Sequence, residues 1–384
     1  MTVYLDNNAT TRLAPAALEA MLPYLGEACG NAGSAHARGR QAEAAVQLGR
    51  ERLAKLLNCA PQELVFNSGG TEGLNHVFRG LRDTLPDRRH VVTTAVEHPA
   101  VRALCAWLAR QGAEVSVLPV DADGQLDLEA LAASLRPDTG LVSIMAANNE
   151  SGVCFPLERI AALVKARGIL LHVDATQAVG KLPLDLAALP VDLLNLSAHK
   201  FHGPKGAGAL FIRRGLRWPA QQLGGGQERD RRGGTENVPG IVGLGVAAEL
   251  AGASLAHMAE VAARRDRLEA ALAAAIDGVR FLGGRSPRLP NTSLQCYRGL
   301  EGEALLLRLD QAGVCVSTGS ACASGQREAS HVLKAMAVPE EFARGTIRVS
   351  LSRDTRDDEI DSLVDRLPGL VAGLRRAMPF GYNN

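Results

Sequence analysis

From residue 63 to residue 212, short apolar runs alternate with amphipathic stretches. Glu63–Phe66, Val91–Ala95, Glu114–Pro119, Leu141–Ala146, Ile169–Val173, Val191–Leu196 and Ala209–Ile212 have the length and content of buried strands. Helical spacing separates most of them, over 72–81, Pro99–Ala109, Asp127–Leu135 and Leu157–Arg167. Such alternation predicts a largely parallel, doubly wound sheet. Before it come a short strand, Val3–Leu5, and helices over Pro15–Leu25 and Arg40–Leu57, the second with Ala44, Leu48 and Leu56 on one face. After it a long helix, Leu255–Ala275, leads to strands at Val279–Phe281, Ser293–Cys296, Val314–Val316 and Ile347–Ser350, with helices at Glu303–Ala312 and Asp357–Ala377. The pattern predicts a large α/β domain over 13–256, and a smaller α+β domain formed by 1–12 with 257–384.

The polar residues that interrupt the pattern fall at the C-terminal ends of strands, where doubly wound sheets bind ligands. Ser68-Gly69-Gly70-Thr71 joins a strand to a helix, a geometry that offers backbone N–H groups and a helix dipole to a phosphate. Glu97-His98 and Asn148-Asn149-Glu150 end two further strands. Asp174 ends one strand and Lys200, in Ser197-Ala198-His199-Lys200, ends the next. An acid and a lysine so placed suit pyridoxal phosphate: the lysine bonds the aldehyde, and the acid keeps the ring nitrogen protonated. Taken singly, each feature has a plainer reading: an N-cap at Thr71, a structural His98, an ordinary acid and lysine at strand ends. Their convergence on one edge favours a ligand site. In the second unit, Cys322 lies among small residues, Ser317 to Gly325, where packing gives little reason for a cysteine. It reads as a reactive thiol. Cys315 stands in a β-pattern and reads as core.

Charge adds little. Lys and Arg number 42 against 41 Asp and Glu, a net +1 that favours neither nucleic acid nor an anionic membrane. Residues 1–11 have neither the basic nor the apolar region of a secretory signal. The most apolar long stretch, 238–256, contains Pro239, Glu249 and several glycines, and reads as a buried helix. Seven cysteines without CxxC spacing fit reduced thiols in a cytoplasm and no structural zinc site.

Together these residues resemble the cysteine desulfurases, the NifS/IscS branch of the class V aminotransferases, which are fold-type I pyridoxal phosphate enzymes. The resemblance spans essentially the whole chain. It rests on Asp6-Asn7-Asn8-Ala9-Thr10-Thr11, Ser68-Gly69-Gly70-Thr71-Glu72, Glu97-His98, Asn148-Asn149-Glu150, His172-Val173-Asp174-Ala175-Thr176-Gln177, Ser197-Ala198-His199-Lys200, Arg232-Gly233-Gly234-Thr235-Glu236-Asn237 and the Cys322 loop. It implies that Lys200 bonds the cofactor, Asp174 pairs with the ring nitrogen, and Gln177 and Asn149 lie near the ring hydroxyl. Gly70, Thr71, Ser197 and His199 would hold the phosphate, joined by Thr235 from the second subunit of a homodimer. His98 would stack on the ring and move protons. Arg348, with Asn149 beside it, would bind the carboxylate of L-cysteine, a task suited to a guanidinium. Cys322 would take the sulfur as a persulfide. The loop around Cys322 is similar to that of the long-loop group, which serves iron–sulfur assembly, so an iron–sulfur scaffold is the implied acceptor. A selenocysteine lyase or another β-eliminating class V enzyme would use the same lysine and acid. A non-catalytic protein of this fold would be expected to lack Lys200, Asp174 or Cys322, and all three are present. Ala32 and Ala329 stand where the family commonly has proline, which bears only on loop rigidity.

Overall fold

The computed structural model describes residues 2–318 and 329–377. Its strands, in chain order, are β1 (Val3–Tyr4), β2 (Leu64–Asn67), β3 (His90–Thr94), β4 (Glu114–Leu118), β5 (Thr139–Met145), β6 (Leu170–Asp174), β7 (Leu193–Ser197), β8 (Gly208–Ile212), β9 (Val279–Leu282), β10 (Thr292–Tyr297), β11 (Val314–Cys315), β12 (Ser317–Thr318) and β13 (Thr346–Ser350). Seven form one sheet in the order β2–β8–β7–β6–β5–β3–β4. All run parallel except β8, which opposes both β7 and β2. The ends of β2, β3, β5, β6 and β7 therefore share one edge.

Alternate side chains on these strands enter two cores, as the pleat requires. Phe66, Val92, Ile144, Val173 and Leu196 pack with helices Ala37–Leu57, Leu157–Lys165 and Val238–Ser254. Val65, Val91, Leu141, Leu193 and Leu210 pack with helices Gly70–Thr84 and Pro99–Arg110. Helices on both faces bury the inner strands, and leave the edge strand β4 and the strand ends open to solvent. A third core lies apart, built from Val3, Leu5, Leu268, Leu272, Ile347, Val349, Leu363 and Leu367. It covers an antiparallel sheet, β12–β13–β10–β9, beside the short parallel pair β1–β11. Side chains cross between the units: buried Val332 and Met336, with partly buried Leu282, Ala335 and Val338, pack against the first core from the far part of the chain.

The helix Ala37–Leu57 buries a different face from the expected one. Ala44 and Leu48 are exposed and Leu56 is half-buried, whereas Ala42, Ala45, Val46, Gly49 and Leu53 are buried. The cause is a close helix crossing. A Cβ on Gly245 would lie 2.6 Å from Gly49 Cα, so only small residues fit at that crossing; Leu48 faces solvent, while Leu53 and Leu57 are the leucines that the helix buries. The partner helix, Val238–Ser254, belongs to a segment apolar and long enough to cross a membrane by composition. It packs here along the helices Pro15–Leu25 and Ala37–Leu57, with nine buried residues. The expected continuous helix from Leu255 starts instead at Met258, after a 3-10 turn over Leu255–His257. Cys315, expected in the core, is half-buried, because β11 pairs only with the two-residue β1 at a sheet margin.

Candidate active site

At the shared edge the strand ends enclose a cavity of about 380 Å³. Its walls carry Gly70, Thr71, His98, Asn149, Asp174, Gln177, Ser197, His199, Lys200 and Arg348, every predicted site residue except Thr235 and Cys322. Asn8, Ala9, Thr176 and Ser317 line it too. Asp174 and Lys200 come together because β6 and β7 are adjacent and parallel. Asp174 is buried, and its Oδ1 accepts from Thr176 N at 3.0 Å and Asn195 Nδ2 at 3.1 Å. Both bonds fall on one oxygen, so Oδ2 is left for a partner in the cavity. Behind it, His172 bridges Ser143 Oγ at 2.8 Å and Asn195 Oδ1 at 2.7 Å, which fixes the Asn195 amide.

Lys200 Nζ donates to Asn8 O at 2.6 Å and Ala9 O at 2.9 Å. Burial and then the Arg348 cation draw its amine down to about 8, against the opposing effects of Asp6 and Asp174. A useful fraction of free amine therefore exists near neutral pH. His98 caps helix Pro99–Arg110, its Nδ1 accepting from Ala100 N at 3.2 Å. In the neutral ring this puts the proton on Nε2. Desolvation by the cavity walls lowers the pKa of His98, and so favours the neutral form.

One end of the cavity opens into a cup lined by Thr10, Ser68, Gly69, Gly70, Thr71, Ser197, His199 and Lys205. The cup sits at the first turn of helix Gly70–Thr84, where unpaired N–H groups and the dipole favour an anion. Gly69, at φ +139°, takes a backbone shape that only glycine adopts readily, and a Cβ there would press on Ser197 Oγ at 3.2 Å. His199 meets Thr10 Oγ1 at 3.1 Å, and burial followed by Lys200 and Lys205 holds its pKa near 4, so at neutral pH it is an uncharged donor. Glu72 closes the outer wall with an ion pair to Arg232 at 2.9 Å. Thr235 is exposed and lines a separate hollow, which meets the cup at Ser68 and Gly206.

Arg348 is buried at the other end, opposite Ser317 across β12–β13. Its Nη2 donates to Asp6 Oδ1 at 2.6 Å and its Nη1 to Asn149 O at 3.0 Å, while Nε has no hydrogen-bond partner. A ligand carboxylate must therefore share this guanidinium with Asp6. Cys322 lies outside the described residues. The chain is described up to Thr318, one residue past cavity-lining Ser317, and again from Ala329. His331 Nε2 then meets Glu97 O at 2.9 Å, next to His98. Among the described residues no cysteine lines the cavity. Burial pushes Cys59, Cys105 and Cys154 up to about 12 and Cys296 up to about 11, far from the thiolate form.

Sequence reasoning gave no role to several residues here. Asn8 stood in a quoted run without one, yet its carbonyl holds Lys200, and its side chain joins Asn149 O at 3.1 Å to Thr292 Oγ1 at 2.9 Å. Lys181 and Asn195 lie behind the wall and had no strand-end position to mark them. Glu97 was noted only as the neighbour of His98. It is fully buried, with Oε1 accepting from Thr94 Oγ1 at 2.8 Å and Met145 N at 3.0 Å, and Oε2 unpaired. Burial lifts its carboxyl from 4.5 to about 8. A folded-state pKa above the unfolded one gives stability that is full below about 4.5 and is lost as pH rises to about 8. Glu97→Gln is therefore expected to weaken this decline. Melting curves at pH 5 and pH 9 should show a gain over the parent of roughly 5 °C at the higher pH only.

The parallel sheet, the lysine and acid on neighbouring strands, and the anion cup define a fold-type I pyridoxal phosphate enzyme. The chain belongs to the class V aminotransferase family, whose family model matches residues 3–363. A cysteine desulfurase of Cereibacter sphaeroides is 52% identical over 381 residues, covering 99% of this chain and 98% of that protein. A NifS-like protein of solved structure superposes with a TM-score of 0.92 at 38% identity, over 97% of this chain and 100% of its own. SspA, solved in complex with cysteine, gives a TM-score of 0.82 at 33% identity over 91% of this chain and 99% of its own. The cofactor of this family is pyridoxal 5′-phosphate. The site fits it: an Asp174 oxygen without a protein partner on the cavity wall, a lysine amine on the same wall, and an anion cup at a helix N-terminus where Gly69 leaves no room for a Cβ, which would lie 3.2 Å from Ser197 Oγ.

Proposed function

We propose that the chain is a cysteine desulfurase. It converts L-cysteine to L-alanine and passes the sulfur through Cys322 to an acceptor protein of iron–sulfur assembly. The observation that carries this reading is the gathering of Lys200, Asp174, His98 and Arg348 around one cavity with an anion cup at its end. Bound pyridoxal phosphate supplies an electron sink for the charge that develops at the substrate Cα. In this reading Gly70, Thr71, Ser197 and His199 hold its phosphate, Asp174 Oδ2 faces the ring nitrogen, and Gln177 and Asn149 face the ring oxygen. Arg348 holds the carboxylate of cysteine, and the free amine of Lys200 takes the Cα proton. His98, with its proton on Nε2, exchanges protons with the reacting group. The Cys322 thiolate attacks the substrate sulfur. A sulfur–sulfur bond forms, the Cβ–sulfur bond breaks, and protonation at carbon completes alanine.

The reading extends to assembly. The cup opens beside an exposed hollow, and Thr235 lies on that hollow, away from its own cofactor cavity. A two-fold homodimer in which Thr235 of the partner subunit completes the cup accounts for both. The working compartment is the cytoplasm, where Cys322 would stay reduced. Sedimentation at assay concentration is expected to show a dimer; a fully active monomer would rule out the shared cup.

Cys322→Ser is expected to bind cofactor normally and to give the first spectral change with L-cysteine. It should form no persulfide and lose sustained alanine production by about a hundredfold or more. Alanine release and persulfide labelling, measured together, check this. Desulfuration at the parental rate would point to direct elimination, in which no enzyme thiol takes part.

A further inference from the structure

One buried cation has no part in the scheme above. Lys181 follows Gln177 by four residues, and is only 8% exposed. Among the described residues its amine meets no carboxylate. Nζ donates instead to Gln177 Oε1 at 2.8 Å and to Asn8 Oδ1 at 3.2 Å. Two neutral amide oxygens compensate a buried charge poorly. Burial, Lys200 and Arg348 pull the pKa of Lys181 well below its ordinary value.

These bonds have a direction. A lysine amine offers N–H groups, so the oxygen end of the Gln177 amide turns toward it. The nitrogen end is then turned to Asn8 O at 2.9 Å, the same carbonyl that accepts from Lys200 Nζ at 2.6 Å. A flipped Gln177 amide would set oxygen against oxygen at Asn8 and would take from Lys181 Nζ the nearer of its two acceptors. Asn8 Oδ1, the other acceptor of Lys181, is also bonded by Asn291 Nδ2 at 3.0 Å and so cannot swing away to compensate.

We propose that Lys181 is a positioning residue: it locks the Gln177 amide with its N–H₂ end at the cofactor cavity, so that a donor faces the ring oxygen beside Lys200. The proposal rests on the reading that the cavity takes pyridoxal phosphate with Gln177 at that oxygen. Lys181 touches neither cofactor nor substrate and acts through Gln177.

The test uses the full-length parent, K181M, Q177A and the double variant, each stripped and reloaded with pyridoxal phosphate. Two quantities are read besides activity: the cofactor dissociation constant, and the pH midpoint of the bound cofactor's visible absorbance. Loss of a donor makes the ring oxygen more basic. K181M should therefore raise the midpoint by about one pH unit and weaken binding about tenfold. In the Q177A background K181M should add nothing, since the two act as a unit. K181Q keeps an N–H donor without the charge, and should keep the parental midpoint. Equal shifts in K181Q and K181M, equal effects of K181M in both backgrounds, or a change confined to apoprotein melting temperature would each overturn the proposal. A parent that takes up no cofactor would instead overturn the proposed function.

Discussion

Lys200→Ala is expected to lower alanine formation from L-cysteine by about a thousandfold or more, because the variant loses both the covalent anchor of the cofactor and the base at the substrate Cα. Among the described residues no other lysine lines the cavity. Lys181 is turned away toward Gln177 and Asn8, and Lys205 lies in the anion cup. The variant should still hold cofactor weakly through the cup, and borohydride should fix none of it to the protein. In the parent, borohydride should label Lys200 alone, as peptide mapping would show. The parent apoprotein should also take up cofactor faster as pH rises toward and past about 8, because only the free amine attacks an aldehyde. Labelling of another lysine, or uptake independent of pH across that range, would remove Lys200 from its assigned place.

Asp174→Ala should retain part of the cofactor binding and lose turnover by roughly a hundredfold to a thousandfold, the scale seen when a group opposite developing charge is removed. The structure sharpens this expectation. Asp174 is not a lone acid: Thr176 N and Asn195 Nδ2 both hold its Oδ1, and His172 fixes Asn195 from behind. The carboxyl is therefore aimed before any ligand arrives, and preorganisation of this kind gives an electrostatic contact its catalytic value. Absorbance of the loaded variant, with alanine release in a single turnover, checks the point. Parental turnover in Asp174→Ala would show that the ring nitrogen needs no partner here.

Most of the sheet was legible because its strands other than the edge strand β4 are buried on both faces and read as apolar runs, while their C-terminal ends turn abruptly polar. That contrast exposed Asp174, Lys200, Asn149 and His98 together. The face of helix Ala37–Leu57 was misread for a related reason. Leucine spacing identifies a buried stripe only when the partner leaves room for leucine, and the Gly49–Gly245 contact does not. Asn8 was illegible because its importance lies in bonds between residues far apart in sequence: it meets Asn149 across 141 positions, Thr292 across 284 and Lys181 across 173. No local pattern encodes such pairings. Cys322 is the reverse case, read from the composition of its own loop and lying outside the described residues.

The position of Asn8 bears on how the protein is made. Its carbonyl holds Lys200, but its own N–H bonds Ser350 Oγ, 342 residues later in the chain. Asn7 likewise bonds Ser350 O, and Asp6 pairs with Arg348. A ribosome adding roughly 5–20 residues per second emits the first turn tens of seconds before its anchors. The strands of the large sheet can pair in that interval, but the carbonyls that steady Lys200 cannot yet be held in place. The surroundings of the lysine are thus finished only near the end of synthesis, so stable cofactor capture should be among the last events in maturation. A nascent chain halted before β13 would have its large sheet and no settled place for Lys200.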